Sequence, residues 1–145
     1  MNNISVSFAQ TADVDTMIDW FKTNRELWAN EKGEWYSQKG LTEWISHPGN
    51  DILLVAKIDH KSVGMCLTHV FYEWAYCETL FVKKEHRRRG IGKLFLEKTV
   101  KLLKAKNITL LALQPEVNNK TAQIFYKNCG FKAGFHFVWM ERNIE

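Results

Sequence analysis

The sequence is poor in the features that would export the chain or tie it to a metal. Its three cysteines, Cys66, Cys77 and Cys129, are odd in number, and none pairs at the close spacing of a zinc knuckle or a redox motif. Reduced, buried thiols and no metal are the expectation. The longest apolar run, ILLVA at 52–56, falls far short of the ~20 residues of a membrane-spanning helix. The start, MNNISVSFAQ, lacks the basic residues and apolar stretch of a secretory signal. These absences predict a cytoplasmic chain with no membrane association. Internal repeats and low-complexity stretches are missing too, and 145 residues are too few for two ordinary domains. With 46% hydrophobic and 25% charged residues, a single globular domain over 1–145 is expected.

The net charge of +4 conceals a division. Residues 1–82 hold 11 acidic against 6 basic residues, and residues 83–145 hold 14 basic against 5 acidic. An acidic front half suits a cationic substrate, and a basic back half suits a phosphate or nucleic acid. Solvated surface charge that segregates by accident gives the same count.

Periodicity orders the elements. Residues 4–9 read as a strand. TADVDTMIDWFKTNRELW opens on a capping signal and places Val14, Met17, Ile18, Phe21 and Leu27 at helical spacing. LTEWISH reads as a second helix, stopped at Pro48-Gly49. DILLVAKI, VGMCLTHVFY and AYCETLFV are β-rich runs in close succession, predicting an antiparallel meander. From Gly92 the polar residues Lys93, Glu97, Lys101 and Lys104 leave Leu94, Phe95, Val100, Leu102 and Leu103 to face a core. ITLLAL is a strand, NKTAQIFYKNC a helix with Asn119 at its N-cap and Gly130 after its end, and GFHFVWMER a last strand. The order predicts an α/β (α+β mixed sheet) fold of about six to seven strands flanked by about four helices.

Two stretches carry chemistry. In EHRRRGIGKL a strand runs through a short loop into a helix start, where backbone N–H groups point outward unsatisfied toward an anion. Gly90 and Gly92 carry no Cβ to hold a phosphate away, and Arg87, Arg88, Arg89 and Lys93 add positive charge. A dinucleotide fingerprint would need glycine at Phe95, and a Walker A loop would need Ser or Thr at Leu94. In NKTAQIFYKNCGF, Asn119, Ala122 and Tyr126 share one helix face across two turns. That face suits an extended ligand, with Asn119 meeting amides and Tyr126 a reactive end; a capping Asn and a half-buried Tyr fit it as well.

With TLFV before the first stretch and Gly130-Phe131 after the second, residues from about Cys77 to Phe131 resemble the GNAT superfamily of acyl-CoA N-acyltransferases. The superfamily's motif, Arg/Gln-x-x-Gly-x-Gly/Ala, is matched by Arg87, Gly90 and Gly92. Many members have Pro where Lys84 stands, and the connection QPEVN makes Asn118 a rival to Asn119. The resemblance implies acetyl-CoA as co-substrate. Its pyrophosphate would lie on amides from Arg88 through Arg89, Gly90, Ile91 and Gly92 to Lys93, and its pantetheine along Leu80, Phe81 and Val82. It further implies that the strands TLFV and TLLAL splay apart to admit the cofactor.

An ammonium must lose a proton before it attacks a thioester. Glu78, two residues before Leu80 and hence on the same side of a regular strand, is the candidate base, directly or through water. A solvent-facing carboxylate is the plain alternative. The N–H of Val82 or Phe81 would bind the oxyanion, and Tyr126 would bond or protonate the leaving thiolate. No cysteine has a partnered base, so direct transfer in a ternary complex is favoured over an acetyl-cysteine. Trp28, Trp35, Tyr36, Trp44, Tyr72 and Trp74, with Glu31, Glu34, Glu43 and Glu73, fall where the superfamily shapes its acceptor pocket. Trp28, Trp35, Tyr36, Glu73 and Trp74 are the candidate substrate contacts; core packing accounts for Trp20 and Trp44. Rings with carboxylates suit a small cationic amine, with a protein or peptide amino group second.

Two readings of another class stand beside this. A nucleic-acid-binding module would use KKEHRRR, but that run lacks interleaved aromatics for stacking bases. A fold that only senses acyl-CoA would bind without turnover. Phe135, Phe137 and Trp139 alternate on the last strand, as either a homodimer interface or core packing would have them.

Overall fold

All of ILLVAKI except Lys57 is buried, which a strand shows only when both faces of its sheet are covered. This strand is β2 (Ile52–Ile58). The computed structural model describes residues 3–33 and 35–144, and the chain divides into two compact units, Met1–Leu113 and Gln114–Glu145.

The first unit holds β1 (Ile4–Phe8), α1 (Val14–Thr23), α2 (Gln38–Ser46), β2, β3 (Lys61–Val70), β4 (Trp74–Val82), α3 (Ile91–Ala105) and β5 (Leu110–Leu113). Its sheet runs β1-β2-β3-β4-β5, antiparallel throughout except for the parallel β4–β5 pair. Strand alternation divides the core in two. Leu53, Val55, Met65, Leu67 and Phe81 meet Met17, Ile18 and Phe21 of α1 and Leu41 and Ile45 of α2. Ile52, Leu54, Ala56, Ile58 and Cys66 meet Ile91, Phe95 and Leu103 of α3. Each fully buried Val, Leu, Ile, Phe or Met side chain among them is worth roughly 1.5–3 kcal/mol, so both layers contribute heavily.

Local chemistry sets the joints. Ser37 caps α2 by accepting the Gly40 N–H at 3.0 Å, so this helix starts three residues earlier than LTEWISH predicts. Asp59 and His60 both have positive φ, 49° and 66°, the backbone of a tight β2–β3 hairpin. The second unit holds α4 (Lys120–Asn128), where Asn119 Oδ1 accepts the Ala122 N–H at 3.0 Å and Gly130 adopts φ +94° past the end.

The mixed α/β fold, the three-strand meander and the four helices agree with the sequence. Four expectations are corrected. The sheet has five strands among the described residues, not six to seven. GFHFVWMER forms no strand, and Phe135 and Phe137 are 90% and 73% exposed. Alternation marks which side chains share a face but does not supply the neighbouring edge a ladder requires. On α3, Leu94 and Val100 are exposed, while Ile91, Leu96 and Thr99 join Phe95 and Leu103 inside. The buried stripe starts one residue earlier than the polar pattern suggests. Leu27 lies beyond α1 in a 3-10 turn, Arg25–Leu27, and Trp20 is the fifth buried residue of α1.

Candidate active site

The centre of the site is an irregularity in β4. Leu67 pairs with Thr79 and Thr68 with Cys77, so Glu78 has no partner on β3. A bulge of this kind re-aims a side chain and reverses which face the next residues take. Phe81 therefore lies in the α1–α2 layer while Leu80 and Val82 pack toward the α3 layer. Glu78 meets Tyr36, which packs against the α1–α2 layer. This corrects the expectation that Glu78 shares a side with Leu80. Strict alternation holds only in a strand without a bulge.

The other edge of β4 opens at the same place. β5 pairs with Trp74 through Cys77 and no farther; Pro115, which has no N–H for a ladder, follows shortly after Leu113. Glu78 to Val82 thus have no strand partner on that side among the described residues. Lys83 gives its N–H to Val63 O at 2.8 Å, which sets the phase of the ladder. Phe81 bonds toward β3, and Leu80 and Val82 turn their backbone groups to the open edge. Arg87 Nε takes the Val82 carbonyl at 2.7 Å, leaving the Val82 N–H on that edge. Its guanidinium also pairs with Glu26 and lies 5.9 Å from the Phe81 ring centroid. The first arginine of the motif thus fastens the loop to the end of β4.

From that fastening the backbone bends into the start of α3. Arg88 and Gly90 take left-handed conformations, φ 62° and 81°. Gly90 is the N-cap and supplies no side-chain cap. The first intrahelical bond runs from Leu94 N to Gly90 O, so the N–H groups of Ile91, Gly92 and Lys93 have no helical acceptor. A Cβ at Gly90 would enter open space, and Arg88 and Arg89 are exposed beside it. Backbone donors, a left-handed turn and exposed guanidinium groups form a concavity suited to an anion.

Around Glu78 the α1–α2 face gathers ionisable groups. Tyr36 Oη lies 2.7 Å from both carboxylate oxygens. His69 Nε2 is 3.6 Å from Glu78 Oε2, and its Nδ1 is 3.5 Å from Asp51 Oδ2. Asp51 is itself fixed, accepting the Trp44 indole N–H and the Val70 N–H, each at 2.8 Å. Trp44 stacks between Tyr36 and His69, with centroids 5.3 and 4.7 Å away. Burial first, and then the Glu78 charge, push the Tyr36 hydroxyl far above its ordinary value, so it remains a donor. The Glu78 carboxylate facing its Nε2–H raises the His69 imidazole above its usual value, against partial burial. Neither Asp51 nor His69 stands out by spacing. The signal was a histidine inside an otherwise apolar strand, VGMCLTHV.

The remaining candidates occupy other places. Trp28 and Trp35 give their indole N–H groups to Phe21 O and Leu27 O, both at 2.6 Å, and so hold the loop before α2. Trp74 stacks on Phe71 at 4.7 Å near exposed Glu73 and Tyr72. An open depression of about 620 Å3 lined by Phe71 and Tyr72 lies at that end of β4, opposite the Val82 end. Glu34 lies outside the described residues. In the second unit Asn119 is an N-cap, and Tyr126 packs edge-on to Phe131 at 5.7 Å. Cys66 and Cys77, buried and free, lie 3.8 Å apart between β3 and β4. Among the described residues no three His, Cys, Asp or Glu side chains are grouped to hold a metal, and no helix is long and apolar enough to cross a membrane.

Residues 14–131 match the acetyltransferase (GNAT) family model. Over 130 residues the chain is 26% identical to an uncharacterized N-acetyltransferase of Methanocaldococcus jannaschii. That match covers 83% of this chain but 57% of the relative, so the chain spans little more than half the length of that protein. Among solved structures, PaiA N-acetyltransferase of Thermoplasma acidophilum, in complex with coenzyme A, has a TM-score of 0.80 at 24% identity over 91% of each chain. An aminoglycoside acetyltransferase from an uncultured soil metagenomic sample, in complex with sisomicin, has 0.78 at 18% over 98% of this chain and 97% of that one. At these identities the structural likeness is one of fold.

Proposed function

The chain belongs to the acetyltransferase (GNAT) family, and from that premise we propose that it is an N-acetyltransferase acting on the primary amine of a small cationic acceptor, with acetyl-CoA as co-substrate and direct attack in a ternary complex. The observation that carries this reading is continuity. The open edge of β4 begins at the bulged Glu78 and ends at the Arg88–Lys93 concavity. A family match running through both compact units supports one N-acetyltransferase domain.

The residues present fit acetyl-CoA. The N–H groups of Ile91, Gly92 and Lys93, with exposed Arg88 and Arg89, suit a pyrophosphate, and Gly90 keeps the approach clear. Backbone groups of Leu80 and Val82 on the open edge suit the amides of a pantetheine arm, with Phe81 held in the core. Acetyl-CoA, when bound, supplies the acetyl thioester. Val82 N–H is the donor for its carbonyl oxygen, a choice that the ladder phase favours over Phe81. Glu78 takes the proton of the acceptor ammonium, directly or through water, and Tyr36 holds the carboxylate in one orientation. The motif assigns Asn119, or its rival Asn118, to the cofactor and Tyr126 to the departing thiolate. Asn119 Oδ1 already caps α4, so the motif's contact would fall to its amide nitrogen or backbone.

Tyr36, with Glu73 and Trp74 farther along, forms a rim of carboxylates and rings suited to a cation, while Trp28 and Trp35 shape the loop carrying Tyr36. A protein amino group is the second acceptor class. Release of free thiol from acetyl-CoA, measured across polyamines, aminoglycosides, amino acids and peptides, tests the reading. We expect turnover with at least one amine and micromolar-range binding of coenzyme A by calorimetry. No heat with coenzyme A ends the proposal, and binding without turnover would leave a sensor.

A further inference from the structure

Glu78 needs somewhere to send the proton it receives. Its carboxyl side chain is 15% exposed and faces Tyr36, a neutral phenol too weakly basic to take that proton. The imidazole of His69 is the neighbour that can. We propose that His69, held between Glu78 and Asp51, is a positioning residue that relays the proton from Glu78 to solvent in each acetyl transfer. The inference rests on the acetyltransferase reading above.

The geometry supports a direction. His69 presents Nε2 to Glu78 at 3.6 Å and Nδ1 to Asp51 at 3.5 Å, so an imidazolium there lies between two carboxylates. Its side chain is 30% exposed, twice Glu78, and is the outlet of the cluster. Stacking on Trp44 at 12° between planes fixes the ring. A 3.6 Å separation is an ion-pair contact, and catalytic contacts of this kind shorten when substrate binds. The groups facing His69 are Glu78 and its register partner Tyr76 on β4, Asp51 ahead of β2, and Tyr36 and Trp44 from the α2 side. Burial raises both tyrosines, which leaves Glu78 and Asp51 as the acidic groups against the ring.

The proton account closes. An ammonium and a thioester give an amide, a thiol and one free proton. The acceptor N–H breaks as the Glu78 O–H forms; that O–H breaks as His69 Nε2–H forms, restoring the carboxylate. The imidazolium then loses a proton to water. Only neutral imidazole can accept, so His69 titration sets the acidic limb of kcat.

The test measures kcat against pH at saturating acetyl-CoA and amine for wild type, His69→Gln and Asp51→Asn, with NMR titration of the His69 ring in the substrate-free protein. The wild type is expected to show an acidic limb above the ordinary histidine value and a His69 resonance titrating at the same pH. H69Q should lose that limb and about tenfold in kcat, with the acetyl-CoA KM within about twofold; D51N should move limb and resonance to lower pH. If H69Q keeps the limb, or His69 titrates at or below about 6.5, the relay is wrong while the acetyltransferase reading stands. If wild type turns over no amine, both fall together. Should H69Q not fold, D51N and the resonance decide.

Discussion

Tyr36 and Glu78, 42 positions apart in sequence, meet with the phenol oxygen 2.7 Å from each carboxylate oxygen. Hydrogen bonds to charged groups are worth roughly 1.5–3 kcal/mol, enough to hold one carboxylate orientation against its alternatives. Tyr36→Phe keeps the ring between Phe21 and Trp44 but removes that donor. We expect kcat to fall about tenfold while the acetyl-CoA KM stays within about twofold. Glu78→Gln removes the proposed base and is expected to cost about 10²- to 10⁴-fold, on the order of general-base catalysis. Steady-state kinetics decide. A Glu78→Gln enzyme with unimpaired kcat would return Glu78 to a structural role.

What could be read from the sequence was whatever the chain encodes locally. ILLVAKI betrays a strand covered on both faces, and RRRGIG betrays the turn into α3, where Gly90 takes φ +81°. Cross-strand register is another matter. The bulge at Glu78 exists because Thr68 pairs with Cys77 and Leu67 with Thr79, and no property of CETL by itself requires it. The pairing of Arg87 with Glu26, 61 positions away, is equally invisible in RRRGIG alone. The Asp51–His69–Glu78 cluster escaped notice for the same reason, its members coming from a loop and two strands. Phe135 to Trp139 show the reverse failure, a strand pattern without a strand.

Gly90 adopts φ +81° with open space where a Cβ would stand. Alanine there meets the left-handed penalty of roughly 1–2 kcal/mol and fills the approach to the concavity. Gly90→Ala should lower the thermal midpoint by several degrees and weaken coenzyme A binding at least about tenfold. Arg88→Gly separates the two effects. Arg88 has φ +62°, so glycine relieves strain and should raise the midpoint, while losing a cation should weaken coenzyme A modestly, less so in high salt. Calorimetry and melting curves check both; a Gly90→Ala protein binding coenzyme A like wild type counts against the concavity.

The role we propose for Tyr126, from the helix motif, is hydrogen-bond donor to the departing thiolate. Tyr126→Phe retains the edge contact with Phe131 and deletes only the hydroxyl. The expected loss is 10²-fold or so in kcat with coenzyme A affinity little changed. Full kcat in the variant would retire the assignment.

His60 has φ +66° at the exposed tip of the β2–β3 hairpin, beside Asp59 at 49°. A two-residue turn of this type prefers glycine at its second position. His60→Gly should stabilise the chain by about 1 kcal/mol, visible as a higher denaturant midpoint with an unchanged slope. Turnover should not change, since the turn lies outside the β4 site.

His69 also links stability to pH, and the sign follows from the direction of its shift. Its folded value lies above the ordinary 6.5, chiefly because Glu78 accepts from the protonated ring and then through the Glu78 and Asp51 charges. The folded state thus binds the imidazole proton more tightly than the unfolded chain. That contribution is complete below the unfolded value and is lost as pH rises through the folded one. Denaturant midpoints of wild type and His69→Gln should therefore differ most below the ordinary histidine value of about 6.5 and converge as pH rises through the folded value. Asp51→Asn, which removes one of the two carboxylates, should show a smaller convergence over the same window. A wild-type advantage that instead grew with pH would mean the fold holds the ring neutral, with neither Glu78 nor Asp51 stabilising its charge.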